Sequence, residues 1–168
     1  MSEATRGNGQ SDRPVTAMEP QQLIVNAQYV KDLSFENPRA PQSLIQPSTQ
    51  PQVDINVDVN ARNLAPEVFE VTLTINVSAR ANNDPVFLVE LVYGAVVTVK
   101  NASEAMLPAL ILVETPRIIF PFARAVIADA TRDGGFPPLM INPIDFAELL
   151  RRQQISGAAA VPPGGEVV

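Results

Sequence analysis

A chain of 168 residues suits one compact domain with flexible ends. With 18 acidic against 12 basic residues its formal charge is −6, and no Lys/Arg cluster or basic stripe offers nucleic acid a cationic surface. It has no cysteine and no histidine, which excludes disulfides, thiolate nucleophiles, Ser-His and Cys-His pairings and the usual nitrogen and sulfur ligands of zinc.

Residues 1–20 are rich in Ser, Gly, Asn, Gln and Pro and hold no apolar run that could form a signal-peptide core. They read as a disordered segment, and the protein is expected to stay where it is made. A first strand is expected within Leu23 to Phe35. The segment from Asn37 to Gln52 sets Pro38, Pro41, Pro47 and Pro51 around Leu44 and Ile45, and reads as an extended crossing loop packed through those two side chains.

Val53 to Asn60 alternates apolar and polar without a break, and Val71 to Ser78 repeats the pattern, as strands with one buried face do. Ala61 to Pro66 reads as the turn between them. Ala81-Asn-Asn-Asp-Pro85 collects turn residues before the next strand, Val86 to Val99, so the three form an antiparallel meander. This last strand is apolar on both alternating faces: Phe87, Val89, Leu91 and Tyr93 on one, Val86, Leu88 and Val92 on the other. Helices are expected to cover one face, and a client or a neighbouring subunit the other. Gly94 suggests a bulge or bend within it.

From Ser103 the period becomes helical. Thr115-Pro116 reads as a helix start with a hydroxyl cap, Pro121 as a kink and Gly134-Gly135 as the stop. A second helix is expected from Asn142-Pro143 through Ile144, Phe146, Leu149 and Leu150, and residues 155–168 read as a flexible tail. Neither Val86 to Val99, interrupted by Glu90, nor Ala105 to Ala128, with three charges and three prolines, reaches the roughly 18 uncharged apolar residues of a membrane-spanning helix. Strands followed by helices give an α+β fold: a four-stranded antiparallel sheet with two main helices on one face.

Three motifs carry a family resemblance. Tyr29-Val-Lys-Asp-Leu-Ser-Phe-Glu-Asn-Pro-Arg-Ala-Pro41, Ile118-Ile-Phe-Pro-Phe-Ala-Arg124 and Gly134-Gly-Phe-Pro-Pro-Leu-Met-Ile-Asn-Pro-Ile-Asp-Phe146 follow one another as in the SecB family of bacterial protein-export chaperones, which the chain resembles over residues 21–154. The resemblance implies a cytoplasmic homotetramer, a dimer of dimers, that holds unfolded precursor proteins and delivers them to the SecA motor. It implies a client groove bordered by the crossing loop and the second helix, where Leu44 and Ile45 face Phe136, Leu139, Ile144, Phe146 and Leu149. Relatives often carry aromatic residues in this loop, whereas here the equivalents are aliphatic or polar.

The resemblance also implies a SecA-docking face at Asp32, Glu36, Leu88 and Glu90. From the residues alone, Glu90 marks a solvated sheet edge, Asp32 and Glu36 stabilise turns, and the groove residues are ordinary core. Because the chain lacks both the phosphate-binding loop and the dinucleotide fingerprint, a chaperone of this kind needs no cofactor and holds clients by mass action.

Other classes are weaker. As an enzyme the chain would have to use paired carboxylates, Asp54 with Asp58 or Asp129 with Asp133, and both pairs sit where acids are usually solvated. A small-ligand binder would need a closed pocket with polar anchors. A chaperone of a toxin–antitoxin system would share the family's fold, and the acidic docking motif favours export over it.

Overall fold

The computed structural model describes residues 19–45 and 50–159; the expected N-terminal segment, except residues 19 and 20, together with Pro47 and residues 160–168, lies outside them. Four strands, β1 (Gln22–Glu36), β2 (Gln52–Ala65), β3 (Val68–Ala81) and β4 (Asp84–Lys100), form one antiparallel sheet in the order β1-β4-β3-β2. The meander of β2, β3 and β4 is as expected. β1 returns beside β4, so the segment between β1 and β2 crosses the end of the sheet in a Greek-key connection.

The hairpins are tighter than the sequence suggested. β2 runs on to Ala65, and its turn is only Pro66 and Glu67. Proline pre-sets the first of these positions and Glu67 takes φ 63° at the second, the pattern of a type II turn. Asn82 and Asn83 join β3 to β4 with φ 50° and 67°, and asparagine tolerates that left-handed pair better than most residues.

The crossing segment is not extended throughout. It makes one helical turn, α1 (Gln42–Ile45), tied by the Ser43 hydroxyl to Asn37 Oδ1 at 2.9 Å. An Arg39–Asp84 ion pair of 2.9 Å fastens it to the β3–β4 hairpin.

The odd-numbered face of β4, with Phe87, Val89, Leu91, Tyr93, Ala95, Val97 and Val99 all buried, meets the helices together with Leu73, Ile75 and Val77 of β3. The even-numbered face, with Leu88, Val92 and Val96 half-buried, is the open one. Gly94 sits on that open face in regular register between Tyr29 and Thr72, so it is not the expected bulge. The Tyr29 ring crosses over it instead: a Cβ there would lie 2.6 Å from Tyr29 Cζ and 2.7 Å from Cε2. Gly94→Ala should therefore cost about 1–3 kcal/mol as an overpacking change. Urea unfolding checks this, and trimming Tyr29 in the same chain should recover part of the loss.

The helical layer begins with α2 (Leu107–Ala109), passes through a π-helical turn (Leu110–Glu114) and continues as α3 (Thr115–Asp133). Thr115-Pro116 is therefore not a helix start. Thr115 donates its hydroxyl back to the Leu110 carbonyl at 2.9 Å, inside one continuous helical run. Pro116 has no N–H to give, and its ring crowds the preceding turn, which the wider π geometry relieves. α3 passes through Pro121 on its exposed side and ends at Gly134 as expected.

The last helix, α4 (Phe146–Ala159), begins later than Asn142-Pro143 and runs past residue 154. Its cap is Asp145, whose Oδ1 accepts the Glu148 N–H at 3.0 Å. α3 lies on β4, β1 and β3, while α4 packs on the π turn and reaches the β2 edge through Gln153 and Asp58. No helix among the described residues is long and apolar enough to cross a membrane.

Candidate functional site

Two surfaces lie on opposite sides of the sheet. On the open side, register aligns residues in rows across the strands. Glu36, Leu88, Ser78 and Asp54 form one row, Ser34, Glu90, Asn76 and Asn56 the next, and Asp32, Val92 and Thr74 a third. Asp32 and Glu36 are therefore about 13 Å apart along β1, with Glu90 offset between them on β4 about 8 Å from each. A shallow cavity of about 380 Å³ spans the first two rows, lined by Glu36, Asp54, Leu88 and Glu90 among others. Asp32, Glu36, Asp54 and Glu90 take part in no ion pair among the described residues. The four residues expected at the docking face thus share one face, and Asp54 joins them from β2. Glu90 is in a central strand rather than at a sheet edge, and the alternation of β4 carries it to solvent.

Farther along the same face, Glu70 of β3 is an acid of another kind. Its side chain is 5% exposed, and it accepts hydrogen bonds from Tyr29 and Lys31 of β1 and from Arg62 of β2, that from Lys31 at 2.9 Å. The hydrogen bond from Tyr29, then those from Lys31 and Arg62, hold its carboxyl down at about 2, below the ordinary 4.5. Burial and the Glu70 carboxylate together push the Tyr29 phenol up.

A carboxyl depressed in the folded state contributes stability that is present above the unfolded pKa and is lost as pH falls through the folded one. The urea midpoint should therefore drop as pH falls from about 4.5 to about 2, and Glu70→Gln should flatten that part of the profile.

On the helix side, a cavity of about 340 Å³ opens between the crossing segment and residues 136–139. Its walls include Pro51, Val53, Val86, Phe87, Phe136, Pro137, Pro138 and Leu139. Phe87 and Phe136 are 5.0 Å apart between ring centroids, and Phe35 stacks on Phe87 at 6.0 Å. The buried Thr131 of α3 fixes one wall, because its hydroxyl oxygen accepts the Leu139 N–H at 2.9 Å. Leu44 rests at the rim over Gly135, whose φ of 90° suits glycine. Ile45 is 71% exposed beside it.

The expected groove set therefore divides. Phe136 and Leu139 line the cavity with Leu44 and Ile45 near its rim. Ile144 and Leu149 are half-buried against the core away from it, and Phe146, at 1% exposed, packs edge-on to Phe120 with centroids 5.9 Å apart. Phe146 cannot meet a client without unfolding the end of the helix layer, because no face of it reaches solvent. Phe87, Val86 and Val53 were missed, since strand periodicity marks them as core and says nothing about which end of the sheet the helices leave uncovered.

The proposed acid pairs gain no support as catalytic groups. Arg132 pairs with both Asp129 and Asp133, and Asp58 accepts from Asn60 and Gln153.

An antiparallel sheet with helices on one side, an open acidic face on the other and an apolar cleft at one end defines a binding scaffold, and comparison with known proteins places it. The family model described as Preprotein translocase subunit SecB matches residues 16–156. A protein-export protein SecB of Bradyrhizobium sp. is 49% identical over 156 residues, covering 93% of this chain and 94% of its own. That of Maricaulis maris is 50% identical over 146 residues, covering 87% and 85%. Among solved structures, a Mycobacterium tuberculosis SecB-like chaperone in complex with a peptide from an antitoxin superposes with a TM-score of 0.61 at 16% identity, covering 73% of this chain and 90% of that one. The chain belongs to the SecB family of protein-export chaperones.

Proposed function

We propose that this protein is an ATP-independent holdase of the cytoplasm, not an enzyme, that keeps unfolded precursors competent for export. The cavity behind Phe87, Phe136 and Leu139 takes apolar client side chains, and the open face bearing Asp32, Glu36, Leu88 and Glu90 docks SecA. The observation that carries this reading is the placement of the two surfaces on opposite sides of one sheet. A client and a motor can then be held together, and the motor can take the client over.

The affinities required are modest. Each large apolar side chain buried contributes roughly 1.5–3 kcal/mol, and micromolar binding needs about 8 kcal/mol. One cavity of this size takes too few side chains for that. A homotetramer, a dimer of dimers, would repeat the cavity along a client and add avidity. Exposed Ile118 and Phe122 on α3 are the kind of apolar surface such an assembly covers. The relatives carry the export name, which favours SecA rather than a toxin–antitoxin partner.

Size-exclusion chromatography with light scattering, run on this protein alone, with an unfolded precursor and then with SecA added, tests the reading. A tetramer, a tetramer–client complex and a ternary complex are expected in turn. Displacement of client on SecA binding without ATP would contradict simultaneous engagement.

A further inference from the structure

The facing of the second half of β1 depends on one extra residue. Tyr29 pairs with Gly94 and Val30 with Tyr93, yet Asp32, not Lys31, pairs with Val92. Lys31 is thus the additional residue of a β-bulge. Strand side chains alternate, so without it Tyr29 and Asp32 would lie on opposite faces. With it, Asp32, Ser34 and Glu36 take the open face beside Glu90, and Phe35 takes the helix face against Phe87 and Phe136. A slip of one residue would turn Asp32 and Glu36 toward the helices and Phe35 to solvent.

The groups that grip this bulge converge on one carboxylate. Glu70 accepts from Lys31, the bulged residue itself, and from Tyr29 two residues before it. Both side chains cross β4 to reach β3, and the absence of a side chain at Gly94 leaves room for the Tyr29 ring to do so. Arg62 closes the carboxylate from β2. We propose that Glu70 is a positioning residue for the docking face: by holding Tyr29 and Lys31 it fixes the register of β1 that presents Asp32 and Glu36 beside Glu90. The functional half of this rests on the docking reading above, whereas the register half rests on geometry alone.

Because the chain has no cysteine, register can be read by cross-linking introduced pairs. Ser34 faces Glu90 in the present register, and Leu33 would face it if the bulge were lost. Cross-strand neighbours lie within disulfide reach.

With Glu70 present, the Ser34→Cys/Glu90→Cys pair should oxidise readily and the Leu33→Cys/Glu90→Cys pair poorly. In a Glu70→Ala background the first should slow about tenfold and the second should speed up, a gain that simple loss of stability does not give. Lys31→Met, which removes a half-exposed partner and leaves Glu70 paired with Arg62 and Tyr29, should shift both pairs the same way by less. It decides between the two registers if Glu70→Ala does not fold.

Unchanged oxidation of both pairs in folded protein overturns the proposal, as does loss of the first without gain of the second. Titration of the cysteine-free chain with SecA separates the functional half. Glu70→Ala, or Lys31→Met if Glu70→Ala does not fold, should weaken binding with client affinity retained. Absence of SecA binding by the unsubstituted protein would remove the docking reading, while the cross-linking pattern would still decide the register.

Discussion

Glu90→Lys will weaken SecA binding by about thirtyfold or more, because reversing a charge both deletes an attraction and sets like charges together. Glu90 is exposed on a central strand, between Asp32 and Glu36 and beside Leu88. At about 8 Å, Glu90 repels Asp32 and Glu36 by only about 0.5 kcal/mol each in water, and those two, about 13 Å apart, repel each other by less, so the three acids can share the face and keep their combined field for a basic partner. A lysine there neutralises one neighbour and repels every cation that the face would attract.

Client binding should not change, since the apolar cavity is on the other side of the sheet. Calorimetric titration at two salt concentrations checks both parts. The loss should be larger at low salt, where the Debye length exceeds the spacing of the acids. Equal SecA affinity for the two proteins would take Glu90 out of the docking face.

Phe146→Ala carries the largest expected cost in stability, about 3–5 kcal/mol. The side chain is 1% exposed, meets Phe120 edge-on and stands at the first position of α4. Among the side chains of α4 that the structure describes, the other apolar anchors are Leu149 and Leu150, both half-buried, so its helicity depends on tertiary packing rather than on propensity. The space left by the ring lies beside Phe120 of α3, in the packed core. Chemical unfolding should show the drop with the slope m unchanged, and the folded fraction should still bind client normally. Retained stability with weakened client binding would return Phe146 to the groove.

β2 and β3 were legible because their alternation is nearly unbroken, β4 because it is a long apolar run behind the Asn82-Asn83 turn, and the two main helices because Gly134-Gly135 and the run after Pro143 punctuate them. Helix starts were misplaced where two signals competed. Thr115-Pro116 resembles a cap with a first-turn proline, but the apolar run from Leu107 to Val113 is already helical, and the π turn absorbs the proline. At α4, Asp145 offers a side-chain acceptor that Asn142 does not supply.

The acids proposed to dock SecA could be found by motif, and their common face could not, because a bulge at Lys31 reverses the parity of β1 and no local pattern announces it. Gly94 reads as a bend in the sequence, when its reason is the tyrosine of another strand. The groove was half-legible: the segment around Phe136 stood out, while Phe87 and Val86 belong to it only through the way the crossing segment comes down on the sheet end.

If this fold holds unfolded chains by apolar contact alone, it must arrest folding without a nucleotide. The refolding rate of a chemically unfolded exported precursor, diluted without ATP into an excess of this protein, reads that out. Refolding should stall, folded precursor should not relieve the block, and SecA should bind the arrested complex. Refolding at the unassisted rate would contradict the holdase function.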